Sequence, residues 1–159
     1  MTAVCAGDGR AAVPLRVPRP GGPFPGGWAG IIRAGLLVAG GRSRPGERSL
    51  VGPLALRTLE SLVFDCFIMS IGGVHAEHGW SEFSLEDAAV KQAGLGQAAR
   101  TVAVADATKL GVRAFSQVAL LSAADTFVTD EAAADAGTHP NGPQTLDALR
   151  DAGVETILT

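Results

Sequence analysis

Positive charge is scarce in this chain. Thirteen lysines and arginines stand against 16 acids in 159 residues, leaving a net charge of -3 and an isoelectric point near 5.5. That balance supplies no polycation for gripping nucleic acid, and no local basic patch stands out. Cysteine is nearly absent. Cys5 lies in a segment crowded with proline and glycine, and Cys66 lies inside the apolar run 64–68. Two thiols in such different surroundings suggest neither a disulfide framework nor a thiolate metal site, and they suit a reducing cytoplasm. No apolar run is long enough to cross a bilayer. The amino terminus lacks the charged start and apolar core of a secretory signal. A P-loop, a dinucleotide fingerprint and a G-x-S-x-G elbow are all missing as well. What is there is 47% hydrophobic residues over a length that suits one domain with a real core.

The first 28 residues differ from the rest. Pro14, Pro18, Pro20, Pro23 and Pro25 alternate with Gly21, Gly22, Gly26 and Gly27. Such density forbids a helix or a central strand and offers few large apolar groups to offset ordering entropy. Residues 1–30 read as a disordered tail, and a wrong start codon or a frame slip would give the same composition. A Pro-rich docking peptide is the weaker option, since no clear P-x-x-P pair stands in an extended polar context. From residue 31 the pattern becomes that of a folded domain running to 159. Leu36-Leu37-Val38 before Gly40-Gly41 reads as a short strand, and residues 42–49 as a polar loop. Leu54, Leu56, Leu59 and Leu62 give a helix begun at Pro53. Residues 64–70 form a near-continuous apolar strand, and residues 71–83 read as a loop holding Gly72-Gly73, His75, Glu77, His78 and Trp80. Ser84 followed by Asp87 resembles a helix-opening cap, with the helix running to about residue 99 and weakened by Gly94 and Gly96. Strands are expected at 101–105, 126–129 and 154–158, with a short strand or extended segment at 118–121. A helix over 144–151 ends at Gly153. Strands alternating with helices at this spacing predict an α/β fold, with a mostly parallel sheet and helices on both faces.

Candidate chemistry concentrates where strands end. Asp106-Ala107-Thr108-Lys109 follows the strand 101–105, so a carboxylate, a hydroxyl and a lysine arrive together at the rim where open α/β sheets bind ligands. That set suits a small anion such as a phosphate, although a plain strand-to-loop exit with Lys109 in solvent is also consistent with it. Gly40-Gly41 and Gly72-Gly73 each follow an apolar run, where glycine lets a ligand approach backbone N–H groups; tight turns explain both pairs equally. Asp87 and Lys91 have the i, i+4 spacing of a surface ion pair, and the spacing also admits Lys91 at the mouth of the Lys109 pocket. His75, Glu77 and His78 fall in a loop with no third His or Cys ligand nearby, so a solvated polar loop is preferred to zinc. No metal or cofactor is expected.

The order of these elements carries a resemblance. Leu37-Val38-Ala39-Gly40-Gly41, Gly52, Phe64-Asp65, Gly72-Gly73, Glu77-His78-Gly79, Asp87-Ala88-Ala89-Val90-Lys91, Asp106-Ala107-Thr108-Lys109 and Thr129-Asp130 form a series. From Gly35 to Thr159 the chain resembles the C-terminal effector-sensing domain of the DeoR/GlpR family of bacterial transcriptional regulators. The resemblance implies a fold related to sugar-phosphate isomerases and a pocket for a phosphorylated sugar or similar metabolite, coupled to a winged helix-turn-helix. It matches Gly72, Gly73, Lys91, Asp106 and Lys109 to the family pattern. Asp87 stands where glutamate is usual, and Ala107-Thr108 stand where two serines are common. Gly40, Gly41, Gly72, Gly73, Asp87, Lys91, Asp106 and Lys109 are therefore the expected effector-binding residues, with no catalytic residue.

The helix-turn-helix and the first, phosphate-holding part of the sensor have no counterpart in this sequence, which reads as a truncated or misread regulator. Specific DNA binding by the chain alone is not expected. An open sheet edge with exposed apolar surface is expected instead, favouring self-association or pairing with a full-length regulator. The alternative function is an isomerase-like enzyme of the same fold. It needs an acid-base residue over the substrate, and Ser70-Ile71-Gly72-Gly73 offers no carboxylate after the second strand.

Overall fold

The apolar run Cys-Phe-Ile-Met, alternating buried and half-buried positions, sets the strand β4 at Cys66–Ser70. The computed structural model describes residues 2–5, 37–45 and 49–159. In chain order the elements are β1 (Thr2–Cys5), β2 (Arg42–Ser43), β3 (Leu50–Val51), α1 (Pro53–Glu60) and β4, followed by β5 (Gly73–His75) and β6 (Gly79–Glu82). Then come α2 (Leu85–Gln97), β7 (Thr101–Val104), β8 (Ser116–Ala119), β9 (Thr126–Thr129), α3 (Gly142–Asp151) and β10 (Glu155–Leu158). Single 3-10 turns stand at Ala107–Lys109, Leu121–Ala123 and Glu131–Ala134.

The main sheet has the order β1-β4-β7-β9-β10. Its last four strands are parallel, as the alternation of strands and helices predicts, while β1 runs antiparallel to β4. Thr2–Cys5 falls inside the expected disordered tail, yet its backbone pairs Thr2 with Met69 and Cys5 with Cys66. The β4 edge expected to lie open is therefore occupied. The rest of that Pro/Gly-rich segment lies outside the described residues.

Two further expectations change. Residues 37–40 form no strand, and Leu37 and Val38 are 63% and 49% exposed. Leu36 lies outside the described residues. Regular backbone follows residues 37–40 at β2, a two-residue ladder with β3. The expected loop 71–83 contains a hairpin, β5–β6, whose second strand pairs with β8 in a separate three-stranded sheet. Glycine at both ends and a histidine-rich tip disguised this hairpin. Its strands are three and four residues long, too short for an alternation to be read.

Register fixes which side chains meet. Met69, Ala103 and Phe127 stand abreast on one face of the sheet, all fully buried. Trp80 from β6 reaches the same layer, with its ring 5.5 Å from Phe127 and its indole N–H donating to the Leu121 carbonyl at 3.0 Å. A buried indole needs such a partner, and here it has one. Leu146 and Leu149 of α3 join this core. Ile68, Val102, Val104, Val128 and Ile157 occupy the other face and are not part of it; Val104 and Ile157 are 39% and 40% exposed. The helix layer expected on that second face is not among the described residues.

Gly94 has a role that helix propensity hides. A Cβ there would press into the Phe67 ring, whereas one on Gly96 would meet nothing within 4 Å. Glycine at 94 lets α2 sit directly on β4. Gly94→Ala should therefore destabilise by about 1–3 kcal/mol through overpacking, while Gly96→Ala should stabilise by roughly 0.5–1 kcal/mol through propensity. Urea denaturation of the two variants checks the pair, and equal shifts of the same sign would contradict the packing.

Candidate functional site

The parallel strands deliver their C-terminal ends to one rim. Ser70 and Val104 pair, and Val104 pairs with Val128. The segments that follow, at Gly72, Asp106 and Asp130, therefore emerge from neighbouring strands roughly 5 Å apart. This is the edge at which open α/β sheets receive ligands.

Asp106 builds the turn beyond β7. Its carboxylate accepts from the Thr108 amide at 2.9 Å and from the Thr108 hydroxyl, capping the 3-10 turn Ala107–Lys109. From the next strand, Asp130 accepts the Ala107 N–H at 2.8 Å. Two aspartates thus fix the backbone that carries Lys109. The Asp106 carboxyl is held below its ordinary value, first by the Thr108 hydroxyl; slight burial opposes this, and the Thr108 amide and the Lys109 charge add to it. A lowered value means that what this cap contributes is complete above the ordinary carboxylate range. It is lost only as pH falls through the lowered value. Asp106 thus acts on Lys109 through the backbone of the turn that it caps.

Lys109 itself is half-buried. Among the described residues, no ion pair or side-chain hydrogen bond engages its ammonium. On its other side the turn is tied to the hairpin, where Gly111 N–H donates to the Val74 carbonyl at 2.8 Å. Gly73 lies between Val112, just past the Lys109 turn, and Ser81 of β6, and Gly72 lies beside Glu82 and the Phe83 ring.

Lys91 and Asp87 depart from the exposed i, i+4 pair. Both are buried, at 7% and 9% exposure. The Lys91 ammonium is ion-paired with Glu82 of β6, and Asp87 with Arg44 beyond β2. Arg42 joins Glu86 at 2.6 Å. Asp87 also sits in the first turn of α2, its N–H donating to the Ser84 hydroxyl as the capping pattern predicts. The helix spacing was real, and each charge has a partner across the fold. Glu82, Arg44 and Asp130 were missed as site candidates. Asp130 had a signal, since it follows β9 as Asp106 follows β7; Glu82 had none once 71–83 was read as a loop.

Gly40 and Gly41 do not follow a strand. They pack against Leu54, Ala55 and Val51 at the start of α1, and Gly41 has a φ of 133°. Their expected equivalence to Gly72-Gly73 is not seen. The His75 and His78 rings lie 4.8 Å apart, half-buried at the hairpin tip, and Glu77 is exposed. No group of three His, Cys, Asp or Glu side chains among the described residues is placed to hold a metal ion. No helix among them is long and apolar enough to cross a membrane.

Comparison with known proteins agrees with this architecture. The chain is 36% identical over 95 residues to the HTH-type transcriptional regulator GlpR of Haloferax volcanii, covering 60% of this chain and 37% of that protein. It is 32% identical over 124 residues to the HTH-type transcriptional repressor GlcR of Bacillus subtilis, covering 78% of this chain and 45% of that protein. An uncharacterized HTH-type transcriptional regulator of Bacillus subtilis, YulB, is 30% identical over 95 residues, 60% of this chain and 37% of its own length. The chain thus spans less than half the length of the curated relatives it matches. Residues 33–131 match the DeoR C terminal sensor domain. With that match extending over more than half of its length, the chain belongs to the DeoR C-terminal sensor domain family.

Proposed function

We propose that this chain is the effector-sensing part of a transcriptional regulator, and that it takes a phosphorylated sugar at the C-terminal rim of its parallel sheet. The observation that carries the reading is Lys109: a half-buried ammonium with no ion-pair partner among the described residues, fixed by Asp106 and Asp130 at the rim where a small anion would lie. A cation held in place with no direct ion pair, its nearest counter-charge being the Asp106 carboxylate of its own turn, can still take an anionic ligand, and charge-assisted contacts to phosphate are among the stronger ones. Gly72, beside the Glu82 carboxylate and the Phe83 ring, keeps the neighbouring rim free of a side chain, while Gly73 packs on Val112 and Ser81. The relatives described as transcriptional regulators support a signalling role over a catalytic one.

One observation favours a second reading. The buried carboxylate of Glu82, beside Gly72, is the kind of group a sugar-phosphate isomerase needs. Its ion pair with Lys91 ties it into the scaffold, which supports binding over proton transfer.

Thermal melting with a panel of sugar phosphates and the matching unphosphorylated sugars separates the readings. A ligand at a hundred times its Kd stabilises by about 2.7 kcal/mol, which for a chain of this size raises Tm by roughly 5–10 °C. At least one sugar phosphate should do so while its unphosphorylated counterpart does not. Stabilisation by none of the panel would sink the proposal. Conversion of a bound aldose phosphate to its ketose, followed by NMR, would establish the enzyme instead.

A further inference from the structure

The two lysines expected to share the anion are in different electrostatic states. Lys91 is buried and ion-paired with Glu82, itself 8% exposed. Lys109 is half-buried, with the Asp106 carboxylate nearby but no direct ion pair among the described residues. We propose that Glu82 selects the sugar: its carboxylate, held by Lys91 against Gly72, accepts hydrogen bonds from the hydroxyls of the effector while the phosphate lies at Lys109. This inference rests on the sugar-phosphate reading above.

Charge makes the division. A lysine matched by a carboxylate presents no net charge to an approaching phosphate, and the carboxylate itself repels one. The phosphate therefore belongs at Lys109, which is half-buried and in no direct ion pair, and not at Lys91, which is buried in one. Geometry puts Glu82 within the same rim. Gly73 pairs with Ser81 across the hairpin, so Gly72 stands abreast of Glu82. A Cβ on Gly72 would lie 2.9 Å from Glu82 Oε2, so the glycine is what leaves that oxygen approachable from the rim. Acceptor capacity remains as well. Oε1 serves Lys91, and Oε2 takes one long hydrogen bond, 3.3 Å from the Phe83 N–H. An ionised carboxylate offers about four acceptor sites, so about two stay open for hydroxyl donors. Stability alone does not account for the pair, since a buried ion pair replaced by apolar side chains is often no less stable. Recognition of a hydroxylated ligand does.

The test is calorimetric titration of the full 159-residue chain and its Glu82→Gln variant. The probes are inorganic phosphate, then ribose 5-phosphate, fructose 6-phosphate and glucose 6-phosphate, with the monodeoxy analogues of whichever binds. Glu82→Gln should weaken the sugar phosphate by about ten- to a hundredfold, the range of a charge-assisted hydrogen bond. It should leave inorganic phosphate unchanged or tighter. On the parent chain, at least one deoxy analogue should lose about tenfold, and the same analogue should lose nothing more on the variant. The deoxy arm needs no substitution, so it decides the matter even if Glu82→Gln fails to fold. Equal losses for sugar phosphate and inorganic phosphate, or deoxy analogues that all bind the parent like their hydroxylated forms, would overturn the Glu82 role and leave the sugar-phosphate reading standing. A parent chain that binds none of the sugar phosphates overturns that reading, and the Glu82 role with it.

Discussion

Lys91→Met should cost about 3–5 kcal/mol of stability. Removing one member of a buried ion pair leaves the other charge desolvated and uncompensated, and that penalty is several times what an exposed pair would give. Lys91 is 7% exposed and its partner Glu82 is 8% exposed, so water cannot replace the lost ammonium. For a chain of this length the loss corresponds to a fall in Tm of roughly 10–20 °C, a large share of the 5–15 kcal/mol that natural domains typically hold. Replacing both partners, Lys91→Met with Glu82→Met, removes the stranded charge and should recover most of the loss. Chemical denaturation of the parent, the single and the double variant reads this as a cycle. A single variant within 1 kcal/mol of the parent would show that the pair behaves as an exposed one.

That prediction reverses the one the sequence supports, and the reason is instructive. Asp87 and Lys91 are spaced as a helix-surface pair, and local spacing is all a sequence displays. What buries them is non-local: α2 lies on β4 through Gly94, and β6 comes back beside the helix to supply Glu82. The parallel strands were legible because each is an apolar run with a length and boundary that periodicity resolves. So was the Ser84 cap, whose signal is confined to four residues. The hairpin was not legible. Its strands are short, glycine-bounded and interrupted by two histidines, and they are stabilised by pairing with β8 more than thirty residues later. Missing the hairpin meant missing Glu82. At the rim the sequence was more informative. Asp106 and Lys109 announce themselves by type and by position after a strand, while Asp130, which completes their turn, does the same less loudly. The strand expected near Leu37 failed for the opposite reason. An apolar run needs a neighbour to be a strand, and none of the described residues pairs with it there.

The Gly40-Gly41 pair belongs to the same lesson. A glycine doublet after an apolar run looks alike in both places, yet only Gly72-Gly73 follows a sheet strand. Gly41 adopts a positive φ and packs on α1. Residue type alone does not separate a turn after a strand from one packed on a helix; backbone conformation does.

The central claim is that Lys109 is the anion contact, and Lys109→Ala tests it most directly. The ammonium is half-buried, in no direct ion pair among the described residues, and held by a turn whose backbone two aspartates fix, so its removal should leave that turn intact. The loss is one charge-assisted contact, about 1.5–3 kcal/mol, or roughly ten- to a hundredfold in affinity. Calorimetric titration of the parent chain and the variant, with the sugar phosphate that stabilises the parent best, measures it. The account predicts a weakening of that size with an unchanged melting temperature in the absence of ligand. Equal affinity of parent and variant would contradict it, and would remove the anion site from the rim of the sheet.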